Sequence, residues 1–203
     1  MDERERGNRV AGLLLAAGGG RRLGGRAKAL LPYRGRPLVE HAVRTLRAGG
    51  CGPVYVVLGA ARERVRAEAE LAGCVVLDNP RWEEGMGSSL RVGLRALGGS
   101  AAHTEAALVG LVDQPGIGAE AIARVRSAAS GPGVLAAAAY GGERGHPVLL
   151  GAAHWAPVAQ TAAGDRGARA YLRAHAAALT LVECADVADP GDIDTPEDLR
   201  RLA

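Results

Sequence analysis

The residues best suited to chemistry lie in a glycine-rich segment close to the start of the chain. Residues 15–28 read LAAGGGRRLGGRAK and follow a continuous apolar run. Glycines leave the backbone N–H groups of such a loop unobstructed, which suits the binding of a polyphosphate. We predict that these amides wrap the β- and γ-phosphates of a nucleoside triphosphate. Arg22 and Lys28 would then offset the charge that builds on the α-phosphate and the departing pyrophosphate.

Two better-known phosphate loops do not fit this spacing. A dinucleotide fingerprint that used Gly18 and Gly20 would need a third glycine at position 23, which is Leu23. A Walker loop would need glycine immediately before its lysine, and Ala27 stands before Lys28. The alternative interpretation is a flexible, basic turn at the surface. Three arginines and a lysine directly after a predicted strand favour the phosphate-binding role.

Carboxylates in two later segments could hold a metal ion. Asp113 follows the apolar run 107–112, so we expect it at the carboxyl end of a parallel strand, where ligands of such sheets bind. Facing a triphosphate, it would bind Mg²⁺, which takes oxygen ligands from one or two carboxylates, water and substrate phosphates. Asp192 and Asp194 lie just before a predicted final helix, and a loop could bring one of them to the same metal. The alternative for Asp113 is a capping or turn residue before a proline.

The elements that must position these residues alternate along the chain. Apolar, β-branched runs predict strands at 10–17, 54–58, 75–77, 107–112, 134–140 and 179–184. Amphipathic segments predict helices at 37–48, 60–72, 88–97, 117–128, 154–160, 168–175 and 196–202. Ser88 is the expected cap of the third helix. This alternation predicts an α/β fold, with a doubly wound, mainly parallel sheet flanked by helices, in one domain over residues 1–203.

Composition and charge narrow the class of protein. Lys plus Arg total 25 against 22 for Asp plus Glu, and a net charge of +3 is too small to indicate nucleic-acid binding. Cys51, Cys74 and Cys184 show no C-x-x-C spacing, which argues against a zinc site or a disulfide framework. Residues 1–9 are polar without an apolar signal core, and no apolar run is long enough to span a membrane. We expect a cytoplasmic protein with no membrane or nucleic-acid partner.

Six ordered motifs resemble the MobA-like nucleotidyltransferases, and within them the MocA branch of molybdenum cofactor cytidylyltransferases. The likeness extends over nearly the whole chain and implies a Rossmann-like nucleotidyltransferase fold. The motifs are LAAGGGRRLGGRAKALL at 15–31, NPRWEEGMGSSL at 79–90, DQP at 113–115, RGHP at 144–147, GDRGAR at 164–169 and DIDTPEDL at 192–199.

The resemblance implies transfer of a nucleotide from a nucleoside triphosphate, CTP in this branch, to the terminal phosphate of molybdopterin, with release of pyrophosphate. It implies that Asp113 binds Mg²⁺ and that Lys28 contacts phosphate. Ala17 favours the cytidylyl branch, since the guanylyl branch usually has glycine at that place. The residues it implies for nucleotide binding are Leu15, Ala16, Ala17, Gly18, Gly19, Gly20, Arg21, Arg22, Lys28, Gly85, Met86, Ser88, Ser89, Asp113, Gln114 and His146.

Three of the motifs have both a functional and a structural interpretation. Residues 85–89 would border the base and ribose, but Ser88 alone is equally well explained as a helix cap. Arg144 and His146 are expected to face the acceptor. Asp165 and Arg169 are explained equally well as an ion pair on the surface.

Two further hypotheses stay open beside the transferase. Relatives of this branch have been assigned as NAD(P)H-dependent oxidoreductases that act on a pigment from nicotine breakdown, although this chain lacks the dinucleotide fingerprint. A non-catalytic carrier would instead deliver finished molybdenum cofactor to a molybdenum hydroxylase client. The transferase hypothesis needs no general base, because the attacking phosphate monoester is already ionised near neutral pH.

Overall fold

The computed structural model of this chain describes residues 10–100 and 104–202. Residues 1–9, whose polar character underlies the expectation of no signal segment, lie outside the described residues. The strands are β1 (Val10–Ala16), β2 (Pro32–Tyr33), β3 (Arg36–Pro37), β4 (Val54–Leu58), β5 (Cys74–Asp78), β6 (Ala106–Leu111), β7 (Leu135–Tyr140), β8 (Glu143–Gly151) and β9 (Thr180–Glu183). The α-helices are α1 (Leu38–Ala48), α2 (Arg62–Glu68), α3 (Met86–Gly98), α4 (Ala119–Arg126), α5 (Ala152–Thr161) and α6 (Arg169–Ala174).

Seven of these strands form one sheet in the order β5-β4-β1-β6-β8-β7-β9, while β2 and β3 pair with each other. The strands β5, β4, β1 and β6 run parallel, and so do β7 and β9. Only β8 runs antiparallel to its neighbours, β6 and β7. Every residue of β1 and of β4 is buried, as expected for central strands that are covered on both faces.

Helices cover the two faces of the sheet because side chains of β1 alternate between them. Leu14 packs in a core cluster with apolar residues of α1 and α4. Leu13 packs on the opposite face, in a cluster with apolar residues of α3, α5 and α6. The prediction of an α/β fold with a mainly parallel sheet flanked by helices is therefore confirmed.

All six predicted strands are confirmed, with ends that shift by at most one residue. The central strand β8 was not predicted, since Pro147 interrupts it and proline cannot donate to a sheet ladder. In the structure, the paired residues of β8 skip from Arg144 to Val148, next to a register shift between Ala137 and Ala139 of β7. Pro147 thus lies where the ladder does not need its missing N–H.

Three helix predictions need correction. The helix predicted at 60–72 is limited to Arg62–Glu68, and the segment Pro196–Leu202 is a 3₁₀-helix. The prediction that Ser88 caps the third helix is wrong, since α3 begins at Met86 after Gly85. Gly85 has a φ of 97°, a conformation that glycine adopts without strain.

Two findings bear on the expected class of protein. All three cysteines are free thiols, in agreement with the prediction of no disulfide framework. Among the described residues, none of the helices combines the length and the apolar character needed to cross a membrane.

Candidate active site

The parallel pairing of β1 with β6 brings the two main motifs together. Leu15 is in register with Leu111, so the glycine-rich loop and Asp113 leave the sheet side by side at its carboxyl edge. The loop then forms a 3₁₀ turn, Arg21–Leu23, between Gly20 and Gly24, which both have positive φ. A Cβ at Gly20 would lie 1.9 Å from the carbonyl oxygen of Arg26, so only glycine fits there.

Lys28 is the centre of the charged part of the site. Its Nζ lies 2.6 Å from Asp113 Oδ2 and 2.5 Å from Asp194 Oδ1. Arg22 reaches the other oxygen of Asp194 at 3.2 Å. Burial alone would lower the pKa of Lys28, but the charges and hydrogen bonds of the two carboxylates outweigh it and raise that pKa. Lys28 is therefore a fixed positive charge at neutral pH.

Lys28 is also chemically singular in this chain. It is the one lysine in a sequence whose Lys and Arg total 25. Its side chain is only 12% exposed between the two carboxylates. A compact ammonium fits this position, whereas the broad planar guanidinium of arginine would need more room. The single lysine of the chain thus lies at a position whose limited space suits an ammonium group.

The segment 189–194 is fastened to the turn that follows Asp113. The Ile193 amide donates to the carbonyl oxygen of Asp113 at 2.8 Å, and the Asp189 amide donates to that of Gly116 at 3.2 Å. The Ile193 side chain is fully buried in the core. Asp192 and Asp194 flank this buried residue, and both line the main cleft. A predicted loop therefore does bring both aspartates beside Asp113.

The two aspartates have different electrostatic surroundings. The hydrogen bond from Lys28 is the main cause that lowers the pKa of Asp194. Loss of solvent, followed by the negative charge of Asp113, raises the pKa of Asp192, against a hydrogen bond from Gln114. Both oxygens of Asp194 are thus paired with cations, whereas Asp113 pairs with Lys28 through one oxygen and Asp192 has no ion-pair partner among the described residues.

A cleft of about 510 Å³, called the main cleft here, opens between the glycine-rich loop, the start of α3 and the segment 192–194. Most of the residues predicted to bind nucleotide or metal line it: Leu15, Ala17, Gly18, Gly19, Gly20, Arg21, Arg22, Lys28, Gly85, Met86, Ser89, Asp113, Asp192 and Asp194. Four predicted residues do not line it: Ala16, Ser88, Gln114 and His146.

Asn79 forms hydrogen bonds to Ser88 and Ser89. Its side chain is buried, and no role was predicted for it from the sequence. Asn79 Nδ2 donates to Ser88 Oγ at 2.7 Å and to Ser89 Oγ at 3.0 Å. Ser88 Oγ in turn donates to the carbonyl oxygen of Gly85 at 2.8 Å. Ser88 therefore fixes the turn before α3, while Ser89 lines the main cleft.

Trp82 and Asp165 also line the main cleft, and neither was among the residues predicted to bind nucleotide. A Cβ at Gly19 would lie 2.9 Å from the ring of Trp82, so the indole packs directly against the glycine-rich loop. A surface ion pair was one of the two interpretations of Asp165 and Arg169, and no ion pair joins them among the residues described. Trp82 lay within a recognised motif, and its aromatic side chain was the signal for a packing or stacking role.

A second cavity of about 470 Å³ adjoins the main cleft and shares Met86 and Asp192 with it. Its wall includes Arg144, Arg166 and Arg169, and none of these forms an ion pair within the described part of the chain. Burial, followed by the positive charges of Arg169 and Arg173, lowers the pKa of Arg144. The three arginines thus lack ion-pair partners among the described residues, although the carboxylates of Glu143, Asp165 and Asp192 also line the cavity. Apolar residues that include Leu90, Val148 and Leu172 form another part of its wall.

His146 lines this second cavity rather than the main cleft. Loss of solvent around its ring is the largest influence and lowers the pKa of His146 to about 4. The ring is therefore neutral at physiological pH and adds no charge for an anionic ligand. It remains a neutral polar group in the wall of the second cavity.

The geometry offers phosphate binding and charge stabilisation. No described group of three or more His, Cys, Asp or Glu side chains forms a metal cage. A hard cation that completes its shell with water and phosphate needs only one or two carboxylates. Asp113 and Asp192 meet that requirement.

A family model described as the MobA-like NTP transferase domain matches residues 12–179. The nicotine blue oxidoreductase of Paenarthrobacter nicotinovorans is 43% identical, over 95% of this chain and 96% of that protein. The molybdenum cofactor guanylyltransferase of Shewanella amazonensis is 28% identical over 96% of each chain. A crystal structure of Rv0371c from Mycobacterium tuberculosis in complex with manganese has a TM-score of 0.76, with 26% identity, 96% of this chain and 97% of that chain covered.

Proposed function

This chain belongs to the MobA-like NTP transferase family and is a nucleotidyltransferase enzyme, and we propose that it transfers CMP from CTP to the terminal phosphate of molybdopterin. The observation that carries the proposal is the position of Lys28. Its ammonium lies 2.6 Å from Asp113 and 2.5 Å from Asp194, at the mouth of the glycine-rich loop. Phosphoryl transfer needs this kind of fixed positive charge, because its transition state spreads negative charge over several oxygens.

The glycine-rich loop would hold the triphosphate. Gly18, Gly19 and Gly20 all line the main cleft, where their amides can face the β- and γ-phosphates without side-chain obstruction. Arg22 is largely exposed and can turn from Asp194 to the departing pyrophosphate. Lys28 would stay near the α-phosphate, since two carboxylates hold it in place.

Asp113 and Asp192 fit a Mg²⁺ ion better than Asp194 does. Both oxygens of Asp194 are engaged, one by Lys28 and the other by Arg22. Loss of solvent, followed by the negative charge of Asp113, raises the pKa of Asp192, and a cation bound by both carboxylates would relieve their repulsion. Mg²⁺ bound there would neutralise charge on the phosphate oxygens. The manganese complex of the solved Rv0371c structure supports a divalent metal in this fold.

The second cavity would hold the acceptor. Arg144 and Arg169 have no carboxylate partners among the described residues, so an anionic ligand would relieve their mutual repulsion. The cavity shares Met86 and Asp192 with the main cleft, so an acceptor phosphate bound there would lie next to the α-phosphate of CTP. An acceptor oxygen then forms a bond to the α-phosphorus while the bond to the β-phosphate oxygen breaks and pyrophosphate leaves. The acceptor phosphate is already ionised, so no general base is required.

CTP is proposed over GTP from the residue at position 17. Ala17 lines the main cleft. Its methyl group packs toward Gly59, since a Cβ at Gly59 would lie 2.8 Å from it. Alanine at this place is typical of the cytidylyl branch that the chain resembles, and this supports CTP.

The test is pyrophosphate release by the purified protein with Mg²⁺ and molybdopterin, in parallel with CTP, GTP and ATP. Release that needs the acceptor and is fastest with CTP supports the proposal. A no-acceptor control measures simple hydrolysis of the triphosphate. Acceptor-dependent release that is fastest with GTP would overturn the choice of base, and no release with any triphosphate would overturn the transferase assignment.

The second candidate function is reduction of a pigment with a nicotinamide cofactor. It rests on the 43% identity to the nicotine blue oxidoreductase. A dinucleotide would have to place its pyrophosphate on the same glycine-rich loop, while the arginines of the second cavity favour an anionic acceptor. Oxidation of NADH or NADPH that depends on nicotine blue, without pyrophosphate release from CTP, would favour this candidate.

A further inference from the structure

A small pocket of about 30 Å³ lies under the turn that carries Asp113, and it is separate from the main cleft. Apolar residues form most of its wall, including Leu14, Leu46 and Ile117. His41 of α1 and Gln114 of the turn supply polar atoms to the same wall. A polar pocket of this size has room for a water molecule.

Two buried polar atoms at this pocket have no hydrogen-bond partner among the described residues: His41 Nε2 and Gln114 Oε1. Buried polar atoms are almost always paired, and an unpaired one is costly. The two atoms belong to segments far apart in the sequence that meet at one pocket. A single ligand that forms hydrogen bonds to both atoms would remove the free-energy cost of leaving each of them unpaired.

The neighbouring hydrogen bonds show what kind of ligand is needed. Gln114 Nε2 donates to the carbonyl oxygen of Pro190 at 3.0 Å and to Asp192 Oδ1 at 2.9 Å. Both hydrogens of the amide are therefore engaged, and Oε1 is left as an acceptor without a partner among the described residues. His41 donates from its ring to the carbonyl oxygen of Pro115, so in the neutral ring Nε2 is an acceptor as well. Water has two hydrogens and can donate to two acceptors.

We propose that Gln114 is a positioning residue that fixes Asp192 beside Asp113, and that a water molecule bound between Gln114 and His41 locks it in place. The chain of contacts runs from α1 through the water to the Gln114 amide and on to Asp192. Without the hydrogen bond from Gln114, repulsion between the carboxylates of Asp113 and Asp192 would push Asp192 away from the site. This inference rests on the proposed function, in which these two carboxylates bind the metal.

The experiment measures Mn²⁺ binding by electron paramagnetic resonance in the full chain, comparing wild type, Gln114→Met, His41→Leu and Gln160→Met. Gln160 is exposed on α5 and is the matched control. Gln114→Met keeps the length of the side chain but cannot hold Asp192, and we expect Mn²⁺ affinity to fall by about 10-fold or more. His41→Leu should shift affinity in the same direction by a smaller factor, and Gln160→Met should leave it unchanged.

Kinetics provide a second readout. In Gln114→Met the apparent KM for Mg²⁺ should rise, while kcat at saturating Mg²⁺ should stay within a few-fold of wild type. General damage to the fold would instead lower kcat at every metal concentration. Wild-type Mn²⁺ affinity in both Gln114→Met and His41→Leu would overturn the proposal. If Gln114→Met does not fold, His41→Leu decides, since it leaves the Gln114 amide and Asp192 intact.

The two proposals can fail separately. If wild type binds no Mn²⁺, the metal assignment of the proposed function is wrong, and crystal structures of wild type and His41→Leu then test the positioning role. A water within hydrogen-bond distance of Gln114 Oε1 and His41 Nε2, and a displaced Asp192 in the variant, would support it. A pocket without water, or an Asp192 that stays in place in the variant, would overturn it.

Discussion

The main cleft and the second cavity differ in whether their cationic side chains are paired with carboxylates. In the main cleft, Lys28 is matched by Asp113 and Asp194 at 2.6 and 2.5 Å, so the cation is held before any ligand arrives. In the second cavity, Arg144 and Arg169 repel each other, and neither has an ion-pair partner among the described residues. The first arrangement is preorganised for charge stabilisation, whereas the unpaired arginines of the second are proposed to bind an anionic ligand.

This contrast also separates what each cavity contributes. A preorganised cation contributes mainly to the rate of the chemical step, because it does not have to move as charge develops. An unpaired arginine cluster contributes mainly to the binding of an anion. Variants of the main cleft should therefore change kcat, and variants of the second cavity should change the KM for the acceptor.

The largest expected effect comes from Lys28. Lys28→Met should lower kcat/KM for CTP by about 10³-fold, because it removes the fixed cation and leaves Asp113 and Asp194 facing each other. Lys28→Arg should stay within about 10-fold of Lys28→Met, since a guanidinium does not fit between the two carboxylates. Steady-state pyrophosphate release measures both. Activity of Lys28→Arg close to wild type would show that charge alone matters and that the geometry does not.

The next largest effects distinguish the roles of Asp192 and Asp194, which precede the final 3₁₀-helix. Asp192→Asn should raise the apparent KM for Mg²⁺ more than 10-fold, because it removes a metal ligand. Asp194→Asn should leave the Mg²⁺ dependence near wild type and lower kcat about 10-fold, because it loosens Lys28. Mg²⁺ titrations at saturating CTP distinguish them. The reverse pattern would mean that Asp194 holds the metal.

A smaller effect is expected in the second cavity. Arg144→Gln and Arg169→Gln should each raise the KM for the acceptor about 10-fold and leave the KM for CTP unchanged. Arg95→Gln is the matched control, since Arg95 is an exposed arginine on α3. Initial rates at varied acceptor concentration give both constants. If the control shifts the acceptor KM equally, long-range attraction and not the cavity binds the acceptor.

The smallest effect concerns stability at the end of β9. Glu183 of β9 accepts hydrogen bonds from the backbone N–H groups of Ala185, Gly142, Gly141 and Cys184, which lower its pKa. A carboxyl with a lowered pKa stabilises the fold above its unfolded value of about 4.5, and this contribution disappears as pH falls through the folded pKa. Glu183→Gln should therefore lower the melting temperature at pH 7 by a few degrees and narrow the gap to wild type below pH 4. A constant gap at all pH values would contradict this role.

Local motifs were predictable from the sequence because their information is contiguous. The buried run of β1 and the glycines after it identify the loop, and the apolar run before Asp113 places that residue at a strand end. Parallel pairing then brings the two together without further information. For the same reason, Asp192 and Asp194 could be predicted to lie near Asp113, but not told apart.

Other features depend on contacts between segments that are far apart in the chain, so the local sequence pattern did not predict them. β8 lies in the middle of the sheet, yet the sequence pattern did not predict it, because the strand begins with polar residues and contains Pro147. The hydrogen-bonded ladder bypasses this proline only because the register of β7 is irregular at that point. His41 of α1 belongs to none of the sequence motifs, and only the fold brings it to the same pocket as Gln114. The second cavity likewise draws Arg144 from β8 and Arg169 from α6.

The most direct test of this account is a crystal structure of the protein with Mn²⁺ and a non-hydrolysable CTP analogue, using the anomalous signal of manganese to place the metal. The account predicts the metal on Asp113 and Asp192, the triphosphate along the glycine-rich loop, and Lys28 Nζ within hydrogen-bond distance of an α-phosphate oxygen. A metal bound by Asp194, or a triphosphate outside the main cleft, would contradict it.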